Sequence, residues 1–288
     1  MALVGAYVGL SKPLVAVFPV FLLAWLRFGV AALAMVGWAR PGRAAPGLSQ
    51  GDRALLFLQS FFGNFLFSIC MLYGVSMTSA LVAGVVMAAL PAVVAVLSTA
   101  FLQERLTPRA ALGIACGVAG IALVSFAREA GAPAAPASLV GTLLLCAAVV
   151  CEAVYVVIGK RLTARVGARR ISAVINLWGL ALITPFGLWQ ALSFDFAAVA
   201  AASWALLVAY SLAASVVSVW LWMTGLRRVD AASAGTFTVL LPISAAAVGV
   251  TLLGETFSLV QGLAFGLALA GIVLATWPAS GRSATPAS

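Results

Sequence analysis

The chain has no histidine among its 288 residues, so the usual general base near neutral pH and the commonest metal ligand are missing. Charge is scarce, at 8% of the chain, with Asp and Glu numbering only 7. Soluble domains carry about 25% charged residues. With 64% hydrophobic residues and a mean hydropathy of +1.18, the composition excludes a soluble enzyme. The 4 cysteines, Cys70, Cys116, Cys146 and Cys151, all lie in apolar stretches without CxxC spacing. They read as small hydrophobes rather than disulfides or zinc ligands, and no metal site is expected. There is no GxxxxGK[ST] run to bind a nucleotide, and no cofactor is expected. An intramembrane hydrolase needs a nucleophile with a base, or a metal, and this chain lacks those parts. Its basic residues, for a net charge of +9, are too dispersed for a nucleic-acid-binding face.

Apolar runs fill the sequence instead. A bilayer core of about 30 Å takes about 20 residues per helix, and ten such spans are expected. They are Ala2–Val17, Val20–Ala39, Ala54–Leu72, Ser79–Leu102, Ala110–Phe126, Leu139–Ile158, Ile171–Ala191, Trp204–Thr224, Ala231–Leu253 and Val260–Trp277. The breaks at Phe18-Pro19 and Val75–Thr78 carry no charge, and Ala127–Ser138 resembles an inter-domain linker. The fold class is therefore an all-α integral membrane protein. With both termini cytoplasmic, thirteen of the 16 basic residues fall in inner loops or the inner tail and only Arg128 in an outer one, as the positive-inside rule requires. Only eleven residues precede Lys12, so either the native start lies upstream of Met1 or the bilayer thins around a short helix. No basic n-region or cleavage site marks a signal peptide.

The halves overlay. Pro91 matches Pro242 and Glu104 matches Glu255, each 151 residues on, as do Gly74 with Gly225 and Ala80 with Ala231. The first helices match at 148, Tyr7 with Tyr155 and Lys12 with Lys160. Each half, residues 1–127 and 137–278, has five expected spans. Five is odd, so the second half enters the membrane from the opposite side. Inverted repeats are the mark of secondary transporters, whose halves exchange conformations around a midplane site.

The sequence resembles the drug/metabolite transporter superfamily, in particular its ten-helix EamA-type permeases. The resemblance rests on Trp25-Leu26-Arg27-Phe28, Pro91, Glu104-Arg105-Leu106-Thr107 and Glu255-Thr256-Phe257-Ser258. It implies an inner-membrane exporter of amino acids or similar small amphipathic metabolites, with a central cavity between the repeats. The alternatives are multidrug or organic-cation efflux and a non-transporting accessory subunit, working as a monomer or homodimer.

Glu152 is the sole carboxylate inside an apolar span and shares a helical face with Tyr155. A charge there costs at least about 2.5 kcal/mol on insertion scales, so it faces a partner or a wet cavity. It either binds a substrate ammonium or a coupling proton, or pairs structurally with Lys160 or Lys12. Tyr7 and Tyr155 converge on the cavity or merely fill space. Asn64, Asn176 and Gln59 bind solute or glue helices. Trp178, Trp220 and Trp222 supply cavity walls or anchor at the bilayer edge. Lys12 and Arg27, expected near outer helix ends, snorkel, pair with a carbonyl, or read a substrate carboxylate. Pro91 and Pro242 sit within helices as kinks that serve a gate. Gly113 and Gly117, like Gly262 and Gly266, form close-packing faces. Glu104 and Glu255 read as structural, each capping the helix that follows it.

Overall fold

In a computed structural model of the chain, the described residues are 1–39, 48–102, 138–227, 240–255 and 259–276, with isolated positions between 112 and 123. All regular structure among them is helical. The expected span Ala110–Phe126, with Gly113 and Gly117, the loop residue Glu104, and the start of the span at Ala231 lie outside the described residues.

The first helix, α1 (Ala2–Val17), stops where expected. Pro19 drives Phe18 out of the helical region, to φ −106° and ψ 133°, and α2 (Val20–Met35) begins directly after it, running on through a short 3₁₀ turn, Val36–Trp38. Ser49 caps α3 (Gln50–Ser60) by accepting the Asp52 N–H at 3.1 Å. The helix then widens into a π-helical stretch, Phe61–Leu66, before continuing as α4 (Phe67–Ser76). The uncharged break at Val75–Thr78 is real. Ser79 accepts the Val82 N–H at 3.1 Å and opens α5 (Ala80–Met87), which α6 (Leu90–Leu102) follows.

Beyond the linker run α7 (Leu139–Thr163), α8 (Ala168–Ala191) and α9 (Ala201–Ser211). A second π-helical stretch, Leu212–Ser218, joins α9 to α10 (Val219–Leu226). The described chain closes with α11 (Leu240–Thr251) and α12 (Leu259–Thr276). Five continuous helices are long and apolar enough to cross a bilayer: Val20–Trp38, Gln50–Ser76, Leu139–Thr163, Ala168–Ala191 and Ala201–Leu226. Four of these outrun the sequence expectation by several residues at an end, where polar residues such as Gln50 and Lys160 continue the helical turn.

One expectation is corrected. Pro91 does not kink a helix interior: it is the second residue of α6, after a break at Ala88–Ala89. Its missing N–H leaves the Met87 carbonyl without its helical donor, and α5 ends at Met87. Pro242 lies in α11, and the residues before Leu240 that would decide its kink lie outside the described residues.

The helices interlock in pairs. The second lies along α8, α4 along α7, and α1 along α11, with α5 also against α11. In α1, Gly5 and Gly9 set the closest approach. A Cβ at Gly5 would run into the Leu241 carbonyl, and one at Gly9 would come 2.5 Å from a Val248 methyl. Lipid is as apolar as leucine, so such tight backbone contacts and buried polar bonds hold membrane helices together.

Candidate functional site

A cavity opens among α1, α2, α7 and the two π-containing helices. It gathers Tyr7, Asn64, Glu152 and Tyr155 of the expected residues, together with Arg27 and Trp222. Both π-stretches contribute to it, Gly63 and Asn64 from one and Ala214 and Ser218 from the other. A π-turn disrupts the regular hydrogen-bond ladder and recurs at functional sites. Here Ser218 donates instead to the Ala213 carbonyl five residues back, at 2.8 Å.

Arg27 is not near a helix end. It stands in the middle of α2, 6% exposed, where it cannot snorkel. Its Nη1 donates to Ser215 Oγ at 3.1 Å and its Nη2 to Ser68 Oγ at 2.5 Å. The guanidinium lies 4.2 Å from the Phe28 ring centre and 5.2 Å from that of Tyr7, a cation–π sandwich that lowers the cost of burial. Ser68 passes its own proton to the Asn64 carbonyl. Asn64 donates to the Ile175 carbonyl at 2.7 Å, and Ser60 shares that acceptor at 2.6 Å.

Glu152 sits across the cavity, 8% exposed. The expected structural pairings do not form. Lys12 donates to the Val75 carbonyl at 3.1 Å and also to that of Thr78, and Lys160 to the Leu226 carbonyl at 3.0 Å. Glu152 makes no hydrogen bond or ion pair with the described residues. Tyr155 lies against Gly63, where a Cβ would run into its ring. Tyr7 stacks on Tyr210 at 4.8 Å, and Tyr210 meets Ser11 at 3.0 Å. Among the described residues, the Tyr7 hydroxyl, Arg27 Nε and Trp222 Nε1 are buried with no partner in hydrogen-bonding geometry. Buried donors of this kind call for water or a ligand.

Other candidates fall elsewhere. Asn176 is glue: its amide donates to the carbonyls of Ser172 at 2.8 Å and Ser215 at 3.2 Å, tying α8 to the second π-stretch. Gln59 donates to the Tyr155 carbonyl at 3.3 Å. Trp178 is 43% exposed beside Phe57. Trp220 lies tilted against Trp38, with the Arg169 guanidinium 5.9 Å from its ring. Neither tryptophan lines the cavity. Sequence reasoning missed Tyr210, Gly63, Phe67 and Ser218, although Gly63 and Ala214 are 151 residues apart, as are Phe67 and Ser218.

The sequence matches the EamA-like transporter family over residues 1–126 and 139–277. The chain belongs to this family. It is 33% identical over 273 residues to the uncharacterized transporter YetK of Bacillus subtilis (strain 168), an alignment covering 94% of this chain and 83% of that protein. A crystal structure with 21% identity superposes at a TM-score of 0.62 over 95% of this chain and 93% of that one, so the two share a fold. This EamA-like protein is accordingly a multi-pass membrane transporter rather than an enzyme, acting on a small molecule within a lipid bilayer.

Proposed function

We propose that this EamA-like chain is a secondary transporter that exports amino acids or similar small amphipathic metabolites by alternating access. In this reading ten spans form two five-helix repeats of opposite orientation, residues 1–127 and 137–278, with both termini cytoplasmic in the inner membrane. The cavity lining supports it: Val4 and Glu152, and Tyr7 and Tyr155, stand 148 residues apart, while Gly63 and Ala214, and Phe67 and Ser218, stand 151 apart. Equivalent positions meeting at one hollow are what a repeat axis through the site produces.

One observation carries the substrate class. Three donors without an acceptor, on Tyr7, Arg27 and Trp222, share a cavity with a carboxylate that has no hydrogen-bond donor, Glu152. A zwitterion satisfies both sets, its carboxylate toward Arg27 and its ammonium toward Glu152. Asn64 and Tyr155 shape the wall between them, and the break before Pro91 lets the halves move. Glu152 also offers a proton-coupling site when substrate has left. Export as the direction follows from the family resemblance.

The test is counterflow of labelled neutral amino acids into proteoliposomes holding the purified protein. Accumulation that depends on Arg27 and Glu152 is expected. Failure to move any amino acid or organic cation would sink the transporter reading. Accumulation of organic cations alone, with Arg27 dispensable, would turn it to cation efflux. Flux unchanged by an imposed proton gradient would remove proton coupling.

A further inference from the structure

The cavity lies toward the N-terminal end of α1, lined there by Met1, Val4 and Tyr7. Past Tyr7 the same helix carries Ser11, which is fully buried, and half-buried Lys12, on the way to the far face, the one that the C-terminal end of α1 approaches. We propose that Glu255 and Lys12 are the latch of a gate on that face, and that α5 is the element the latch holds. The proposal rests on the alternating-access reading above.

Glu255 reaches back across the fold to a helix of the other half. Its Oε1 accepts the Ala80 N–H, at the start of α5, at 3.0 Å, a carboxylate set on the positive end of a helix. Its aim is built in. The chain leaves α11 through Gly254 at φ 66°, a left-handed turn that glycine adopts without strain. The Glu255 N–H then closes onto the Gly249 carbonyl at 2.9 Å. Gly249 leaves room for the side chain, since a Cβ there would come 2.8 Å from Glu255 Oε2. From the other side, the Lys12 ammonium binds the Val75 and Thr78 carbonyls at the end of α4, and Lys12 and Glu255 attract one another. The turn from α4 into α5 is thus pinned by a cation and an anion on opposite flanks.

Beyond the pin, α5 is only 8 residues long and ends at the Ala88–Ala89 break before Pro91. A short stiff rod, tethered at one end and hinged at the other, is a gate by construction. The lysine arrangement recurs at the opposite face, where Lys160, equivalent to Lys12, binds the Leu226 carbonyl, equivalent to that of Val75.

The experiment uses the full chain with its four native cysteines changed to alanine and Ser11→Cys as reporter, since Ser11 is 0% exposed. A membrane-impermeant maleimide is applied to the far face of oriented vesicles. Loss of a charge-assisted bond predicts that Glu255→Ala speeds labelling about tenfold. Glu255→Gln, which keeps an acceptor oxygen, and Lys12→Met give smaller increases. An unchanged rate in a monodisperse Glu255→Ala protein overturns the latch. If that variant does not fold, unchanged rates in both Glu255→Gln and Lys12→Met overturn it. Counterflow of labelled neutral amino acids in the same vesicles reads the transport proposal separately, so its absence counts against transport while labelling still decides the latch.

Discussion

The helices Gln50–Ser76 and Ala201–Leu226 have nearly the same backbone and quite different chemistry. Each begins with an α-helical stretch, opens into a π-stretch after 11 residues, and closes as α-helix again. The π-stretches start at Phe61 and Leu212, with the same spacing as Pro91 and Pro242. Yet the first brings Asn64 and Phe67 to the cavity where the second brings Ser215, turned to Arg27, and Ser218. The first helices of the halves repeat the pattern: Tyr7 and Tyr155 match, while Val4 faces Glu152. Backbone geometry is shared and the functional groups are not. On the proposed repeat, unlike side chains at like positions give the hollow a cationic and an anionic pole.

Substitutions that make the halves alike should erase the function in proportion to the chemistry removed. The largest effect is expected for Arg27→Ile, which copies Ile175, its equivalent. Losing a buried, hydrogen-bonded charge should lower amino-acid counterflow about a hundredfold, with Arg27→Lys restoring little because the forked geometry is gone. Glu152→Val, copying Val4, should cost about tenfold in counterflow, and Glu152→Gln should retain binding of the carboxylate end. Gly63→Ala, copying Ala214, forces a methyl against the Tyr155 ring. Overpacking of this kind destabilises by about 1–3 kcal/mol, read as a lowered Tm of the detergent-solubilised protein. The smallest change is Tyr7→Phe, about two- to fivefold in counterflow, because one uncharged hydroxyl is lost. If Val4→Glu rescued Glu152→Val, the two positions would be interchangeable and the asymmetry incidental.

Much of the architecture was legible in the sequence. Proline and serine marked breaks that no charge marks, at Phe18-Pro19 and Ser79, because both act on the backbone directly. Glu152 and the tyrosine pair were found because a carboxylate in an apolar run is costly and because equivalence predicts convergence. Arg27 was misplaced. Its distance from the span end suggested snorkelling, and only the fold reveals Ser68 and Ser215 coming from two other helices to receive it. The π-stretches left no trace in composition, since their residues are ordinary helix formers. Trp178 and Trp220 went astray for a similar reason: tryptophan suits a cavity wall and a lipid-facing surface equally. Glu255 was expected to serve its own chain neighbours, and its bond to Ala80 spans 175 residues.

The seat of α1 on α11 has a mechanical consequence. At Gly5 the helices touch backbone to backbone, and at Gly9 the stiff, β-branched side chain of Val248 seats on the α1 backbone. The side of the cavity that α1 supplies is therefore inelastic. Accommodation of solutes of different bulk falls to the opposite bank, where Phe67 and Trp222 can swing about their own side-chain bonds. Selectivity for size should accordingly be tuned by changes on that yielding bank, while changes at the glycine seam disturb every solute alike.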